Sequence, residues 1–118
     1  MRWIVGRYAG ADTPPSAGGL WSTGPDLVRF GSGSRILLPD ELATEALRPQ
    51  APQRDVVEGT GLGWELRLPM DAAGQAGIGP GWGASLITRP SSGKTIVTLT
   101  NRLFPVLARN VELLRSGA

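Results

Sequence analysis

The sequence predicts an α+β domain: an antiparallel sheet of three to five strands with helices packed on it. Three observations lead there. Gly83–Thr88 and Lys94–Thr100 are apolar runs joined by the turn sequence Pro90-Ser91-Ser92-Gly93, which is the pattern of an antiparallel hairpin. Segments near Thr23, Pro39 and Pro105 carry helix start signals. The chain has 118 residues, 41% of them hydrophobic, enough for one modest core and too few for two domains.

Each element follows in order. Trp3 to Tyr8 reads as a short strand or a lead-in. Gly10 to Gly19 is a loop, because its consecutive prolines and its glycines exclude helix. Ser22 or Thr23 caps a short helix, Pro25 suits its first turn, and Asp26 complements its positive end. Leu27 and Phe30 share a face of that helix, and Gly31 is its expected stop. Gly31 to Ser34 is then a flexible link. Pro39-Asp40-Glu41 opens a second helix, with Leu42, Ala46 and Leu38 expected on its inner side and Pro49 beyond its end. Pro49 to Gly59 is a polar loop.

Gly61 to Leu68 alternates Leu62, Trp64, Leu66 and Leu68 with Gly63, Glu65 and Arg67, the pattern of a half-buried strand. Pro69 to Gly81 reads as a Gly-rich connection. Lys94 to Thr100 is β-branched through its middle and suits a strand. Phe104 to Leu114 is a closing helix with an apolar stripe of Val106, Leu107, Val111 and Leu114, ended by Ser116-Gly117.

Composition excludes several chemistries. There is no Cys, so no disulfide, thiolate nucleophile or Cys-based zinc site. There is no His, so the commonest general base and transition-metal ligand are missing. The ten acidic residues show no calcium-loop spacing, so no metal site and no cofactor is expected. Eleven of the twelve cations are Arg, scattered singly, and the net charge is only +2, which argues against a nucleic-acid partner. No apolar run is long enough for a membrane-spanning helix, and Met1 to Arg7 lacks the apolar stretch of a secretory signal.

Four strings invite a chemical interpretation. Ser91-Ser92-Gly93-Lys94 matches SxxK, but that chemistry needs the Ser at a helix start with Lys one turn on, and here the string is a hairpin turn. Gly93-Lys94-Thr95 ends like a P-loop, yet Thr88 stands where the first glycine belongs and a strand follows instead of a helix. The tryptophans Trp3, Trp21, Trp64 and Trp82 suit core and rim packing better than a stacking platform. The Gly-rich run from Gly74 to Gly83 suits a ligand-hugging loop and an ordinary loop leading into a strand equally well.

Laid in order, the segments resemble a known family. Ala17-Gly18-Gly19-Leu20-Trp21-Ser22-Thr23, with Asp26-Leu27 and Arg29-Phe30, resembles the AGGLxST..DL.RF stretch of the serine β-lactamase-like hydrolases, which include class C β-lactamases, DD-peptidases and related esterases. Ile36-Leu37-Leu38-Pro39 resembles their LLSPE helix start, with Leu38 in place of the capping Ser. Gly61-Leu62-Gly63-Trp64 is similar to their YGLGW strand. Pro90 and Gly93, followed by Val97-Thr98-Leu99-Thr100-Asn101, resemble their P..G...VVLTN hairpin. The resemblance runs from about Val5 to the last helix and implies a partial β-lactamase/transpeptidase-like fold.

It also implies a site. Gly74-Gln75-Ala76-Gly77 with Gly81-Trp82 fits the spacing of the family's third motif, on the strand lining the active site. The motif's first residue helps bind substrate, and a nearby backbone N–H forms part of the oxyanion hole. The resemblance thus makes Gln75, Ala76 and Gly77 substrate-binding residues. Gln75 stands where the family has His or Lys; it donates a hydrogen bond but carries no charge.

The family's nucleophile and its Lys partner lie in an upstream SxxK helix, and a Tyr-x-Asn motif supplies the base. The single Tyr here is Tyr8, followed by Ala9-Gly10. The resemblance therefore implies that residues 1–118 are one domain, the C-terminal segment of such a hydrolase, with no catalytic residue of its own. The expected partner is an N-terminal hydrolase segment, or a second copy bound through an uncovered sheet face. A stand-alone, non-catalytic binding module is the alternative, and a split hydrolase completed by a partner polypeptide is a further one.

Overall fold

The computed structural model describes residues 4–5, 20–33, 37–51, 59–79, 81–102 and 106–116. Strands β1 (Ile4–Val5) and β2 (Leu20–Trp21) pair antiparallel, with Ile4 opposite Trp21. The expected loop at 10–19 and most of the expected strand at 3–8 lie outside the described residues.

Helix α1 (Gly24–Ser32) begins as its sequence dictates. Thr23 Oγ1 accepts from the Asp26 N–H at 3.3 Å, Pro25 fills the first turn, and Asp26 pairs with Arg29 at 2.9 Å. Its end differs from expectation: Gly31 is buried inside the helix, and Gly33 closes it. The reason is packing. A Cβ on Gly31 would lie 2.5 Å from Thr95 Cγ2, so a residue without a side chain lets α1 sit directly on the sheet. Thr95 cannot swing aside freely, because its hydroxyl donates to Thr88 Oγ1 at 3.0 Å, and Thr88 in turn donates to the Gly31 carbonyl at 3.2 Å. Gly31→Ala is expected to destabilise the domain by about 2 kcal/mol through overpacking, read as a lowered midpoint in urea unfolding. An unchanged midpoint would show that α1 can lift off the sheet at no cost.

Helix α2 (Asp40–Ala46) starts after Pro39 with two acids in its first turn. Its inner side is Ala43 and Ala46, while Leu38 and Leu42 are exposed, so the expected Leu face is corrected. Small residues face inward because α2 meets backbone: the Ala46 carbonyl accepts from the Leu62 N–H at 2.9 Å. Beyond it, the Gln50 N–H donates to the Thr60 carbonyl at 2.7 Å.

The main sheet is an antiparallel meander of β3 (Gly59–Thr60), β4 (Glu65–Arg67), β5 (Ala72–Gly79), β6 (Trp82–Arg89) and β7 (Lys94–Thr100), in that spatial order. Two expectations are corrected here. Gly61 to Leu68 is not one strand: Gly63 takes φ +77, a turn conformation, and only residues 65–67 are extended. Leu66 alone of the alternating set is buried, and Leu62 and Leu68 are exposed. Pro69 to Gly81 is not simply a connection: after a 3₁₀ turn at Leu68–Met70, an eight-residue strand runs to Gly79. Glycine and alanine have poor strand propensity, but pairing with both β4 and β6 overrides it. The β6–β7 hairpin is as expected, its turn closed by the Gly93 N–H donating to the Arg89 carbonyl at 2.8 Å.

Helix α3 (Val106–Arg115) covers the other face of the sheet. Alternation along β6 separates the two faces. Leu86 and Thr88 meet α1, whereas Ser85 and Ile87 meet α3. Ile87, Leu114 and Ala72 form a buried cluster joined by Met70, Ile96 and Val111. Of the expected α3 stripe, Val111 and Leu114 point inward; the side chains of Val106 and Leu107, and the expected helix start at Phe104 and Pro105, lie outside the described residues. A fully buried polar residue shares this face. Asn110 donates from Nδ2 to Ser85 Oγ at 2.6 Å and accepts from the Thr98 hydroxyl. The fold class is therefore α+β, with the sheet between α1 and α3.

Candidate functional site

The residues singled out from sequence, Gln75, Ala76 and Gly77, lie in the second half of β5. Register explains their setting. β4 ends its pairing with Glu65 opposite Gly74, while β5 continues beside β6 until Gly79 pairs with Trp82. Among the described residues, the segment from Gln75 to Gly79 is thus paired on one side only. Alternate N–H and C=O groups of such a strand point away from its partner and are available to another hydrogen-bonding chain. Gln75, Ala76, Gly77 and Ile78 are consecutively exposed, with Ile78 at 65%.

The three residues divide between the faces. Gln75 and Gly77 stand opposite Leu86 and Ala84 on the α1 face, and Ala76 stands opposite Ser85 on the α3 face. The Gln75 side chain is held: its Nε2 donates to the Gly63 carbonyl at 3.1 Å. The turn at 61–64 is therefore what orients it. Trp64, the next residue, stacks on Phe30 of α1 with ring centroids 6.1 Å apart and planes 14° apart. So α1, the 61–64 turn and β5 meet on one side of the sheet.

Trp82 forms the other wall. Its indole lies across Gly77 and Gly79; a Cβ on Gly77 would touch Trp82 Cζ3 at 3.8 Å, and one on Gly79 would overlap the ring. Beyond Trp82, a groove of about 800 Å³ opens between the start of α1 and the ends of β6 and β7. Leu20, Trp21, Leu27, Trp82, Ala84 and Leu99 line it, with polar groups of Ser22, Thr100 and Asn101 at hand. Leu20, Trp21 and Leu99 are at least half exposed in it. The sequence reading missed this groove. Trp21 and Trp82 share it, so two of the four tryptophans do converge; Trp64 packs elsewhere, and Trp3 lies outside the described residues.

The SxxK match has no helix beneath it. Ser91 sits in the β6–β7 turn, where its N–H donates to Asp71 Oδ2 at 3.2 Å, and Lys94 begins β7. That turn is at the opposite end of the β6–β7 hairpin from the site. The same placement disposes of the P-loop match, since Gly93-Lys94-Thr95 leads into a strand. Among the described residues, no group of three or more carboxylates is placed to hold a metal ion, and no helix is long and apolar enough to cross a membrane.

The site therefore offers an open strand edge, an oriented neutral amide and an aromatic wall. It can hold and align an extended polar ligand but contributes no nucleophile or proton acceptor at Gln75–Gly77. Compared with known proteins, the chain is matched from residue 2 to residue 116 by the family model described as Beta-lactamase. No curated protein matches it.

Proposed function

The chain belongs to the Beta-lactamase family, a hydrolase family, and on that premise we propose that it is the C-terminal segment of a serine hydrolase of β-lactamase, DD-peptidase or esterase type. In this reading residues 1–118 are one domain. Gln75, Ala76 and Gly77 supply the third-motif wall of an acyl-transfer site, and the chain is not catalytic alone. The observation that carries the reading is the run of β5 past the end of β4, with residues 75–78 exposed. An open edge next to an oriented amide suits the backbone-like amide of an acyl donor. Its outward N–H groups suit the oxyanion that develops when the acyl group is attacked. Gln75 contributes a neutral hydrogen bond, weaker than the charge-assisted one that Lys would give.

The nucleophile and base are assigned to a partner segment carrying SxxK and Tyr-x-Asn. The groove beside Trp82 favours such completion, since an apolar, aromatic-lined cleft of this size is suited to receiving side chains from a docked helix. Fluorophosphonate and penicillin probes test this directly. The isolated chain is expected to take up no label. In a reunited protein, label appears on the SxxK-bearing segment, and Gln75→Lys raises the labelling rate by about tenfold by making the substrate contact charge-assisted. Covalent label on Ser91 of the isolated chain would overturn the assignment. Reading the DNA upstream of the Met1 codon in all frames identifies the candidate partner segment.

A further inference from the structure

We infer that the acyl donor selected at β5 is an uncharged amide carrying an apolar, aromatic-sized group, and that carboxylate-bearing ligands are disfavoured there. The inference rests on the acyl-transfer reading and deepens it, by naming the substrate class that the wall would select. Its first support is the end of Gln75 that the fold leaves over. A carbonyl oxygen only accepts, so the Gly63 carbonyl faces the nitrogen end of the Gln75 amide, with Nε2 at 3.1 Å. That contact fixes which way round the amide sits. Oε1 is then turned away from the 61–64 turn, on an exposed residue, and accepts from no other group among the described residues. Gln75 therefore offers a ligand an acceptor beside its one remaining N–H. Another amide matches that pair. A carboxylate has acceptors only, so its second oxygen would face Oε1 with no hydrogen between them.

The second support is charge. From Ala72 to Thr88 the β5–β6 hairpin contains no Asp, Glu, Lys or Arg. The groove beside Trp82 is lined by uncharged residues throughout. The ionisable residue closest to Gln75 in the strand register, Glu65 opposite Gly74, is an acid. Arg102, next along the chain from the groove's Asn101, lies beyond the end of β7, two strands across from β5. A carboxylate placed at Gln75 would lose water without meeting a cation.

The third support is reach. Gln75 and the groove share the α1 face of the sheet. Gly77 lies two residues along β5 from Gln75, about 7 Å away, and pairs with Ala84 in the groove wall. Between Gln75 and the groove, β5 thus puts no side chain on this face. A ligand with its amide at Gln75 passes over Gly77, beside the Trp82 ring, and sets its apolar end among Trp82, Ala84 and Leu99.

Three probes share one apolar arm and differ only at the polar end: γ-phenylbutyramide, methyl γ-phenylbutyrate and γ-phenylbutyrate. Each is titrated into the full chain near neutral pH and followed by heteronuclear NMR at the backbone amides of 75–79, the Gln75 side-chain amide and the Trp82 indole N–H. The amide is expected to bind at least about fivefold more tightly than the ester or the carboxylate, the worth of one hydrogen bond. Gln75→Lys is expected to reverse the order, so that the carboxylate binds most tightly. Leu99→Ala is expected to weaken all three alike, through the apolar contact they share. A carboxylate that shifts 75–79 and binds as tightly as the amide overturns the inference and leaves the part of β5 in acyl transfer standing. So does an ester that equals the amide, since Oε1 then takes no part. If none of the three shifts 75–79, the inference and the assignment of Gln75–Gly77 to a substrate wall fall together.

Discussion

Asn110→Ala is expected to lower the stability of the domain by about 3 kcal/mol, a large part of the total for a chain of this size. Asn110 is completely buried under β6 and β7. Its amide joins the two strands: Nδ2 donates to Ser85 Oγ at 2.6 Å and to the Ser85 carbonyl at 3.4 Å, and Oδ1 accepts from the Thr98 hydroxyl. Ser85 and Thr98 are cross-strand partners, so one side chain of α3 ties the helix to both strands at one level. Alanine leaves the buried Ser85 hydroxyl and the half-buried Thr98 hydroxyl without that partner, and the desolvation cost of the first goes uncompensated. A cavity adds to the loss. The measurement is thermal unfolding, with the midpoint expected to fall by about 10 °C.

The triple variant Ser85→Ala, Thr98→Val, Asn110→Leu removes all three polar groups together and should recover most of that loss. If the single variant melts with the parent protein, the network is not holding α3 in place.

Gly61→Ala is expected to cost about as much, about 3 kcal/mol, by a different route. A Cβ at Gly61 would fall inside the van der Waals shell of the Ala46 carbonyl oxygen. That oxygen cannot turn away, being the backbone acceptor of the Leu62 N–H at the end of α2. The Gly61 N–H is itself committed to the Trp64 carbonyl at 2.8 Å. Adding one methyl group therefore pushes α2 away from the 61–64 turn. The damage reaches the site, because the Gly63 carbonyl in that turn holds the Gln75 amide. Gly24→Ala is the control: a Cβ there meets nothing within 4 Å, and stability should change by no more than about 1 kcal/mol. Urea unfolding of the two variants side by side checks both. Equal midpoints would show that the Ala46 contact yields freely.

The elements legible in the sequence were those whose signals are local. Thr23, Pro25 and Asp26 mark the start of α1 as they do on paper. The turn Pro90 to Gly93 between two β-branched runs is the hairpin it reads as. Errors fell where distant contacts decide. Gly31 looks like a helix stop, but its value lies in the Thr95 side chain pressed against it from β7. Strand β5 is hidden by its glycines and alanines, and only its neighbours make it a strand. The alternating leucines from 62 to 68 suggest one strand, yet the φ of +77 at Gly63 breaks the run.

The resemblance did better than composition at the site, setting residues 74–77 on a strand where the residue pattern alone left a loop. What neither reveals is that β4 ends its pairing at Gly74, which leaves Gln75–Gly79 paired on one side only among the described residues. Asn110 was legible in principle, as a polar residue at the helical spacing of the α3 stripe, three after Leu107 and four before Leu114.

The order of the sheet also carries a kinetic meaning. Each strand from β3 to β7 pairs with the next one in the chain, so the meander closes only short loops. Helix α1 is different, since the bond from Thr88 to the Gly31 carbonyl bridges 57 residues. Loop-closure entropy penalises that longer return, and contacts close in sequence form soonest. The hairpins therefore assemble ahead of α1, and α3, only one connection beyond β7, is next in reach. During folding the α1 face of β6 and β7 is the last to be covered. A chain emerging N-terminus first makes α1 early and leaves it waiting for strands not yet synthesised.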